Sequence, residues 1–284
     1  MMEICFNVAT SIEKRRSSAN NILVLAQDDV GADLLVKEGC IVKINALCKV
    51  EKDAELYTNM VRTVAQLCER SVDRTQNVLR ELGVPWFLRV LDHKHEERVT
   101  AAQYCLQTIL NTLSGMTNKP ESKPNQQLCE KHKKEIDTLL TCLVYSVTDR
   151  TISGAARDAV IELLTRNIHY TTLSWAERLV EINGLHRLLD VCSELEEYKY
   201  ESSMPITPSS RTIASVCLAR IYENMYYDEL KQKFTERIDE FIKEKLLDPE
   251  MESKVRVTVA ITSLLQGPLD VGNQVVARDG KCRA

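Results

Sequence analysis

Two pairs of residues in this chain of 284 residues have the types and spacing of metal ligands. Cys129 and His132 form a C-x-x-H pair, and His93 and His95 lie together in another polar stretch. Zinc prefers thiolate and imidazole ligands, and a structural zinc site needs four of them. The sequence has no C-x-x-C pair to complete such a set. We therefore expect solvated loop residues at these positions and no bound metal.

The sequence lacks the short motifs of common catalytic and nucleotide-binding sites. It has no G-x-G-x-x-G, no G-x-x-x-x-G-K-[ST] and no G-x-S-x-G segment. Carboxylates cluster at Asp28-Asp29 and at Glu194-Glu196-Glu197, but their polar surroundings predict solvated faces, without an apolar pocket to raise a pKa. We expect no enzymatic activity and no cofactor.

A glycine turn between two apolar segments recurs along the chain. Residues 77–91, NVLRELGVPWFLRVL, are typical of a helix end, a turn at Gly83 and a second helix with proline in its first turn. Similar turns occur at Gly39 and Gly184, and residues 273–280 begin a fourth copy. Gly39 and Gly83 are 44 positions apart. This spacing matches the period of armadillo and HEAT repeats, about 40 to 47 residues.

Longer helical segments rich in small residues accompany these turns. Small side chains let neighbouring helices approach closely, and each unit of such an array buries its apolar face only against its neighbours. The segments are 18–26, 60–68, 100–106, 155–164, 213–219 and 255–261. Together with the turns they predict an all-α, right-handed α-solenoid of about five armadillo/HEAT-like repeats.

This architecture predicts one continuous domain and two inserted loops. We expect a single armadillo-repeat domain over residues 1–280, followed by a divergent tail at 281–284. Stretches rich in Pro and Ser at 114–126 and 200–210 predict exposed loops between helices. We expect proteases to cut first in these two loops, because exposed tips without apolar anchors open locally at little cost.

Seven polar residues on the long helical segments are candidates for binding a partner. In an armadillo array such segments line the concave side, where a row of polar side chains can hold an extended or helical segment. The candidates are Arg62, Gln66, Gln103, Asn111, Arg157, Arg166 and Asn167. Trp86 and Trp175 lie near repeat turns, and their large aromatic area favours core packing over a binding role.

Composition indicates the cellular compartment of the protein and excludes some classes of binding partner. The chain has 44% apolar and 27% charged residues, with nine Gly and seven Pro, as is typical of a soluble helical protein. Its start lacks a basic segment and a long apolar run, which predicts a cytoplasmic protein without a secretory signal. Of the ten cysteines, seven lie among apolar helical positions and are expected to be reduced, buried small hydrophobes: Cys40, Cys48, Cys68, Cys105, Cys142, Cys192 and Cys217. A net charge of −4 without an extended basic block argues against nucleic acid as the main partner, and no apolar stretch is long enough to span a membrane.

Three blocks of sequence carry a family resemblance. They are KRRSSANNILVL at 14–25, SGAARDA at 153–159 and LQGPLDVGNQ at 265–274. In order and spacing they resemble the central region of the UCS family of animal myosin chaperones, over nearly the whole chain. The resemblance implies a parent protein of three parts: a tetratricopeptide domain for the heat-shock protein 90 class chaperone, a central armadillo region, and a UCS domain that holds the myosin head. Both flanking domains are missing from this chain, so the resemblance assigns myosin binding to none of its residues.

Two functions fit these observations. The first is a non-enzymatic scaffold or co-chaperone region that supports myosin folding and thick-filament assembly with the heat-shock protein 90 class chaperone; self-association is possible. The alternative is a generic peptide-binding armadillo adaptor acting through its concave groove. A strongly bound groove peptide would favour the adaptor, whereas recovery of myosin or the chaperone from muscle lysate would favour the scaffold.

Overall fold

The computed structural model describes residues 1–91, 95–117, 119, 121–195 and 202–266. Within those residues the regular structure is helical, with one short 3-10 helix at Thr171–Leu173. The helices are α1 (Met2–Phe6), α2 (Ile12–Ala26), α3 (Asp29–Lys37), α4 (Cys40–Cys48), α5 (Ala54–Cys68), α6 (Val72–Leu82), α7 (Val84–Leu91), α8 (Glu96–Ser114), α9 (Gln126–Lys131), α10 (Lys133–Ser146), α11 (Gly154–Asn167), α12 (Trp175–Glu181), α13 (Gly184–Cys192), α14 (Ser210–Glu223), α15 (Asp228–Leu247) and α16 (Met251–Gln266).

Three groups of helices share an order in which a long helix comes after two shorter ones: α3 to α5, α6 to α8 and α12 to α14. In the group α9 to α11, the last two helices have 14 residues each. The segments rich in small residues fall within the long helices, where buried residues such as Ala65 and Ala102 allow close packing. The predicted all-α fold of armadillo type is confirmed.

The helices form two compact units, Met1–Thr138 and Leu139–Ala284. In the first unit α5 packs against both α2 and α8. In the second unit α14 packs against α11 and α13, and α15 packs against α13 and α16. The single continuous domain expected over 1–280 stays a prediction, and the expected tail at 281–284 lies outside the described residues.

The turns between short helices confirm two of the predicted glycine positions. Gly39 has φ 73° and ψ 28°, and Gly83 has φ 71° and ψ 156°. The third turn differs, because Asn183 takes the left-handed conformation with φ 64° and Gly184 opens α13 instead. A Cβ on Gly184 would lie 2.7 Å from the Leu179 Cδ2 atom and 2.9 Å from its carbonyl oxygen, so close packing requires this glycine. The fourth copy, 273–280, lies outside the described residues.

The two predicted loops differ in how firmly they are held. In the first loop Met116 is buried, whereas Thr117, Lys119 and Lys123 are exposed. The described part of the second loop is also irregular, and Ser202, Ser203 and Pro205 are exposed, as predicted. Other residues of this loop are anchored. Met204 is only 6% exposed, and the hydroxyl groups of Thr207 and Ser210 each donate a hydrogen bond of 2.5 Å to Asp158. The backbone also passes so close to α11 that a Cβ on Gly154 would lie 2.7 Å from the Ile206 carbonyl carbon.

Substitution of the two left-handed glycines should have unequal effects. Asparagine tolerates the conformation of Gly39, so Gly39→Asn should cost less than about 1 kcal/mol. The backbone of Gly83 lies in a region that is essentially restricted to glycine, so Gly83→Asn should lower the free energy of unfolding by about 1 to 3 kcal/mol. Urea denaturation of both variants measures the difference. Equal losses would show that the turn at Gly83 relaxes freely.

Limited proteolysis should separate the two loops. A protease of broad specificity should cut between residues 117 and 124 before it cuts between residues 202 and 210, because the second segment must break several hydrogen bonds to open. Mass spectrometry of the early fragments locates the cuts. First cleavage between 202 and 210 would contradict the described anchoring of that segment.

Candidate functional site

The seven predicted groove residues divide into accessible and buried side chains. Arg62 and Arg166 are exposed, and Gln66 and Gln103 are half-buried. Arg62 and Gln66 lie on α5, and Gln103 lies on α8, which packs against α5. A partner-binding role for these four residues stays a prediction. The remaining three residues are buried, and the contacts of each show what it does.

Arg157 was predicted to face a partner, and its position shows that this prediction is wrong. Its side chain is completely buried. Its guanidinium donates hydrogen bonds to three backbone carbonyl oxygens: to Asp149 at 2.9 Å, to Pro205 at 2.9 Å and to Val147. Burial lowers the pKa of this guanidinium, but an arginine keeps its charge at neutral pH. Arg157 therefore satisfies carbonyl groups that follow α10 and ties the loop before α14 to α11.

The side chains of Asn167 and Asn111 are also bonded within the protein. Asn167 is completely buried at the end of α11, and its amide donates a hydrogen bond of 2.8 Å to the Leu163 carbonyl oxygen. Asn111 is 8% exposed, and its side-chain oxygen accepts a hydrogen bond of 2.8 Å from Gln107. The prediction for Asn167 is wrong because a side chain inside the core cannot reach a partner.

Two further buried arginines bond to backbone carbonyl groups as Arg157 does, and neither was among the predicted site residues. Arg15 in α2 is 6% exposed, donates to the Cys5 carbonyl oxygen at 3.0 Å and pairs with Glu51 at 2.6 Å. Arg74 in α6 is 7% exposed and donates to the carbonyl oxygens of Leu67 and Glu69 at 2.9 and 3.1 Å.

A signal for these residues was present in the sequence. Ser11, Ser71 and Ser153 are the N-cap residues of α2, α6 and α11, and each precedes its arginine by three or four positions. A cation at the start of a helix is unfavourable for the helix dipole. An arginine there therefore indicates a partner outside its own helix.

The suggested zinc ligands are mostly in the core. Cys129 is 7% exposed and His132 is 2% exposed, so the expectation of solvated loop residues is wrong for this pair. The Nδ1 atom of His132 lies 3.5 Å from the Gln76 amide. His95 is exposed at the start of α8, and His93 lies outside the described residues. Among the described residues, no three His, Cys, Asp or Glu side chains are grouped so that they could hold a metal ion.

The buried cysteines are poor nucleophiles. Burial raises the pKa of the Cys5 thiol to about 11 and that of Cys68 to about 12. Cys105 and Cys192 are completely buried, and burial raises the pKa of each. Since the thiolate is the reactive form, these groups are nearly unreactive at neutral pH. The burial of Cys68, Cys105 and Cys192 confirms the prediction that they act as small hydrophobes in the core, whereas Cys48 and Cys142 are half-buried.

The prediction of a solvated face is wrong for Glu194, the one described carboxylate of the cluster at 194–197. Glu194 is 2% exposed, and its carboxylate accepts hydrogen bonds from Ser202 at 2.6 Å and from the Ser203 backbone at 2.8 Å. Arg256 of α16 lies 3.4 Å from the same carboxylate. Glu194 therefore connects α13, the following loop and α16, while residues 196–201 lie outside the described residues.

The aromatic predictions agree with the structure. Trp86 is 3% exposed and packs edge-on against Phe87 with ring centroids 5.0 Å apart, and Trp175 is completely buried. Both tryptophans are core residues, as the large apolar area of their side chains predicted. In the part of the chain that the structure describes, no helix is both long and apolar enough to cross a membrane.

The buried and exposed arginines of α11 offer a matched test. Arg157→Met should lower the free energy of unfolding by about 3 kcal/mol, because it leaves three carbonyl groups without their charged donor. Arg166→Met, on the exposed face of the same helix, should change it by less than about 0.5 kcal/mol. Chemical denaturation followed by circular dichroism compares the two. Similar stabilities would show that water replaces the guanidinium without loss.

Comparisons with known proteins agree in both sequence and fold. Residues 158–283 match the family model UNC45-central, described as "Myosin-binding striated muscle assembly central". The chain is 26% identical over 284 residues to protein unc-45 homolog B of Mus musculus, covering 99% of this chain and 30% of that protein. It is 70% identical to the solved structure of UNC-45 from Drosophila melanogaster, with a TM-score of 0.94, covering 99% of this chain and 36% of the Drosophila chain.

A more distant structure shows the same fold. UNC-45 from C. elegans in complex with a Hsp90 peptide is 22% identical, with a TM-score of 0.82, over 95% of this chain and 32% of that chain. The chain spans about a third of the length of these relatives. The resemblance predicted from three sequence blocks is therefore confirmed along the chain. Over nearly its whole length, the chain is similar to the central region of UNC-45.

Proposed function

We propose that this chain is the non-enzymatic scaffold region of a myosin-directed chaperone. In this role it supports myosin folding and thick-filament assembly by connecting a part that recruits the heat-shock protein 90 class chaperone to a part that holds the myosin head. The observation that carries the proposal is the 70% identity to Drosophila UNC-45 over 99% of this chain. The name of the matched family model, which refers to myosin binding and striated muscle assembly, supports the same role.

The contacts within each unit suit a scaffold. Arg15 and Arg74 in the first unit, and Arg157 in the second, are committed to backbone carbonyl groups rather than to a ligand. Such charge-assisted hydrogen bonds hold successive helices in a fixed arrangement within a unit. We infer a cytoplasmic location, and we infer one functional domain over residues 1–280.

The low reactivity of the cysteines favours a protein without enzymatic activity. Burial raises the pKa of the thiols of Cys40 and Cys217 to about 12 as well. A nucleophile needs an adjacent base or a lowered pKa, together with donors for the developing charge. The buried thiols offer the opposite environment, so a structural role suits them better.

An exchange experiment tests the scaffold role. We would replace the matching region of Drosophila UNC-45 by this chain and measure protection of myosin heads from heat aggregation. The chimera should protect as well as the parent, because its flanking parts remain in place. This chain alone should give little protection, and a flexible glycine-serine linker in its place should abolish most of the activity of the parent.

Two outcomes would contradict the proposal. Strong protection by this chain alone would place the client site within it, rather than in the flanking parts. Full activity of the linker variant would show that an ordered connection is unnecessary. Circular dichroism of each protein confirms that the helical regions are intact before the assay is interpreted.

A further inference from the structure

A pocket in the first unit has a volume of about 620 Å³. It lies between the C-terminal ends of α5 and α8 and also contacts α6 and α9. Val72, Met116 and Leu128 provide apolar walls, and the exposed residues Arg70 and Lys119 contribute the cations of its rim. Ligand pockets commonly have volumes of about 300 to 1,000 Å³, with apolar walls and a few charged or polar groups. The pocket therefore has the size and the chemistry of a binding site.

The last carbonyl groups of α5, beside the pocket, already accept hydrogen bonds from side chains of the protein. The last carbonyl groups of a helix lack partners within it and carry partial negative charge. Arg74 donates to the carbonyl oxygens of Leu67 and Glu69, and the Thr112 hydroxyl donates to that of Cys68 at 2.9 Å. These carbonyl groups do not need a cation from a ligand.

The end of α8 is satisfied in the same way. The Met116 backbone N–H donates to the Asn111 carbonyl oxygen at 2.7 Å, and the Asn125 N–H donates to that of Ser114 at 2.7 Å. Because the carbonyl groups at both helix ends are hydrogen-bonded within the protein, the side chains determine the charge of the pocket. Those side chains favour an anionic partner over a cationic one.

The rim cations are exposed to solvent. The Arg70 side chain is 69% exposed, and its Nη2 atom forms a long ion pair of 3.7 Å with the Glu69 carboxylate. Lys119 is also exposed. With two cations and one carboxylate, the lining has a net positive charge. An extended peptide that carries carboxylates on both sides of an apolar residue would complement this arrangement.

We propose that this pocket binds an extended acidic segment of another protein. An apolar side chain of that segment enters between Val72, Met116 and Leu128, and the flanking carboxylates pair with Arg70 and Lys119. The site is separate from the scaffold role and does not depend on it. Of the seven predicted groove residues, Asn111 lines this pocket. The main contact nevertheless comes from the apolar walls and not from a series of amides.

Fluorescence anisotropy with a defined peptide tests the site. The probe is a fluorescein-labelled peptide with two leucines between two pairs of aspartates. Saturable binding is expected for this probe. A peptide with glycines in place of the leucines should bind at least about tenfold more weakly, because it cannot fill the apolar walls. A peptide with lysines in place of the aspartates should bind more weakly still.

Charge-reversal variants assign the binding to the pocket. The double variant Arg70→Glu/Lys119→Glu should weaken binding of the acidic probe by about tenfold or more, because two attractive pairs become repulsive. The matched control is Arg80→Glu/Lys131→Glu, which makes the same charge change at exposed residues of the same unit outside the pocket. The control should bind the probe within about twofold of the unaltered chain.

The single variant Lys119→Glu in the exposed loop guards against a general loss of folding. It should weaken binding by about threefold, with an unchanged circular dichroism spectrum. Equal losses of affinity for the probe in the pocket variant and its control would overturn the proposal, because the net charge of the chain would then account for the effect. Absence of saturable binding to the unaltered chain, or equal binding of the glycine peptide, would overturn it as well.

Discussion

The contact between a buried guanidinium and the carbonyl groups at the end of a preceding helix underlies the structure of both units. An array of short helices has many ends, and each end leaves carbonyl groups without partners inside the helix. Arg15 and Arg74 donate to carbonyl groups in the last turn of the preceding helix, at Cys5 and Leu67. Arg157 donates to the carbonyl group of Val147, just after the end of α10. The packing of apolar side chains could not bring these ends together without such donors, because buried unpaired carbonyl groups are costly.

Polar side chains that bond to the protein's own groups make polar composition a poor guide to function in this chain. Arg157, Asn167 and Glu194 look like surface residues in the sequence, yet all three are at most 2% exposed and bond to the protein's own groups. Their charge and hydrogen-bonding capacity serve the fold. The rim of the pocket is different, since Arg70 and Lys119 are exposed beside apolar walls.

The regular features of the fold could be predicted because they depend on local sequence. The turn at Gly83 and the long helices rich in small residues follow directly from residue type and spacing. The exchange of roles between Asn183 and Gly184 was missed because asparagine also tolerates a left-handed backbone. The burial of Glu194 and the anchoring of residues 202–210 were missed because Arg256 and Asp158, which bind them, lie on other helices, where neither periodicity nor composition reveals them. The family resemblance was predictable from three short blocks, but it assigned no binding residue to this region.

The arginine contacts also bear on the order in which the chain can fold during synthesis. Arg15 pairs with Glu51, 36 residues later, and Arg74 pairs with Asp33, 41 residues earlier, so each contact spans about one repeat. A growing chain can therefore complete such a contact once one more repeat has left the ribosome, without waiting for distant segments. In the second unit Glu194 and Arg256 are 62 residues apart, so this contact forms only when α16 has been made. Until then the Glu194 carboxylate has its nearby donors at Ser202 and Ser203 but lacks the charge of Arg256.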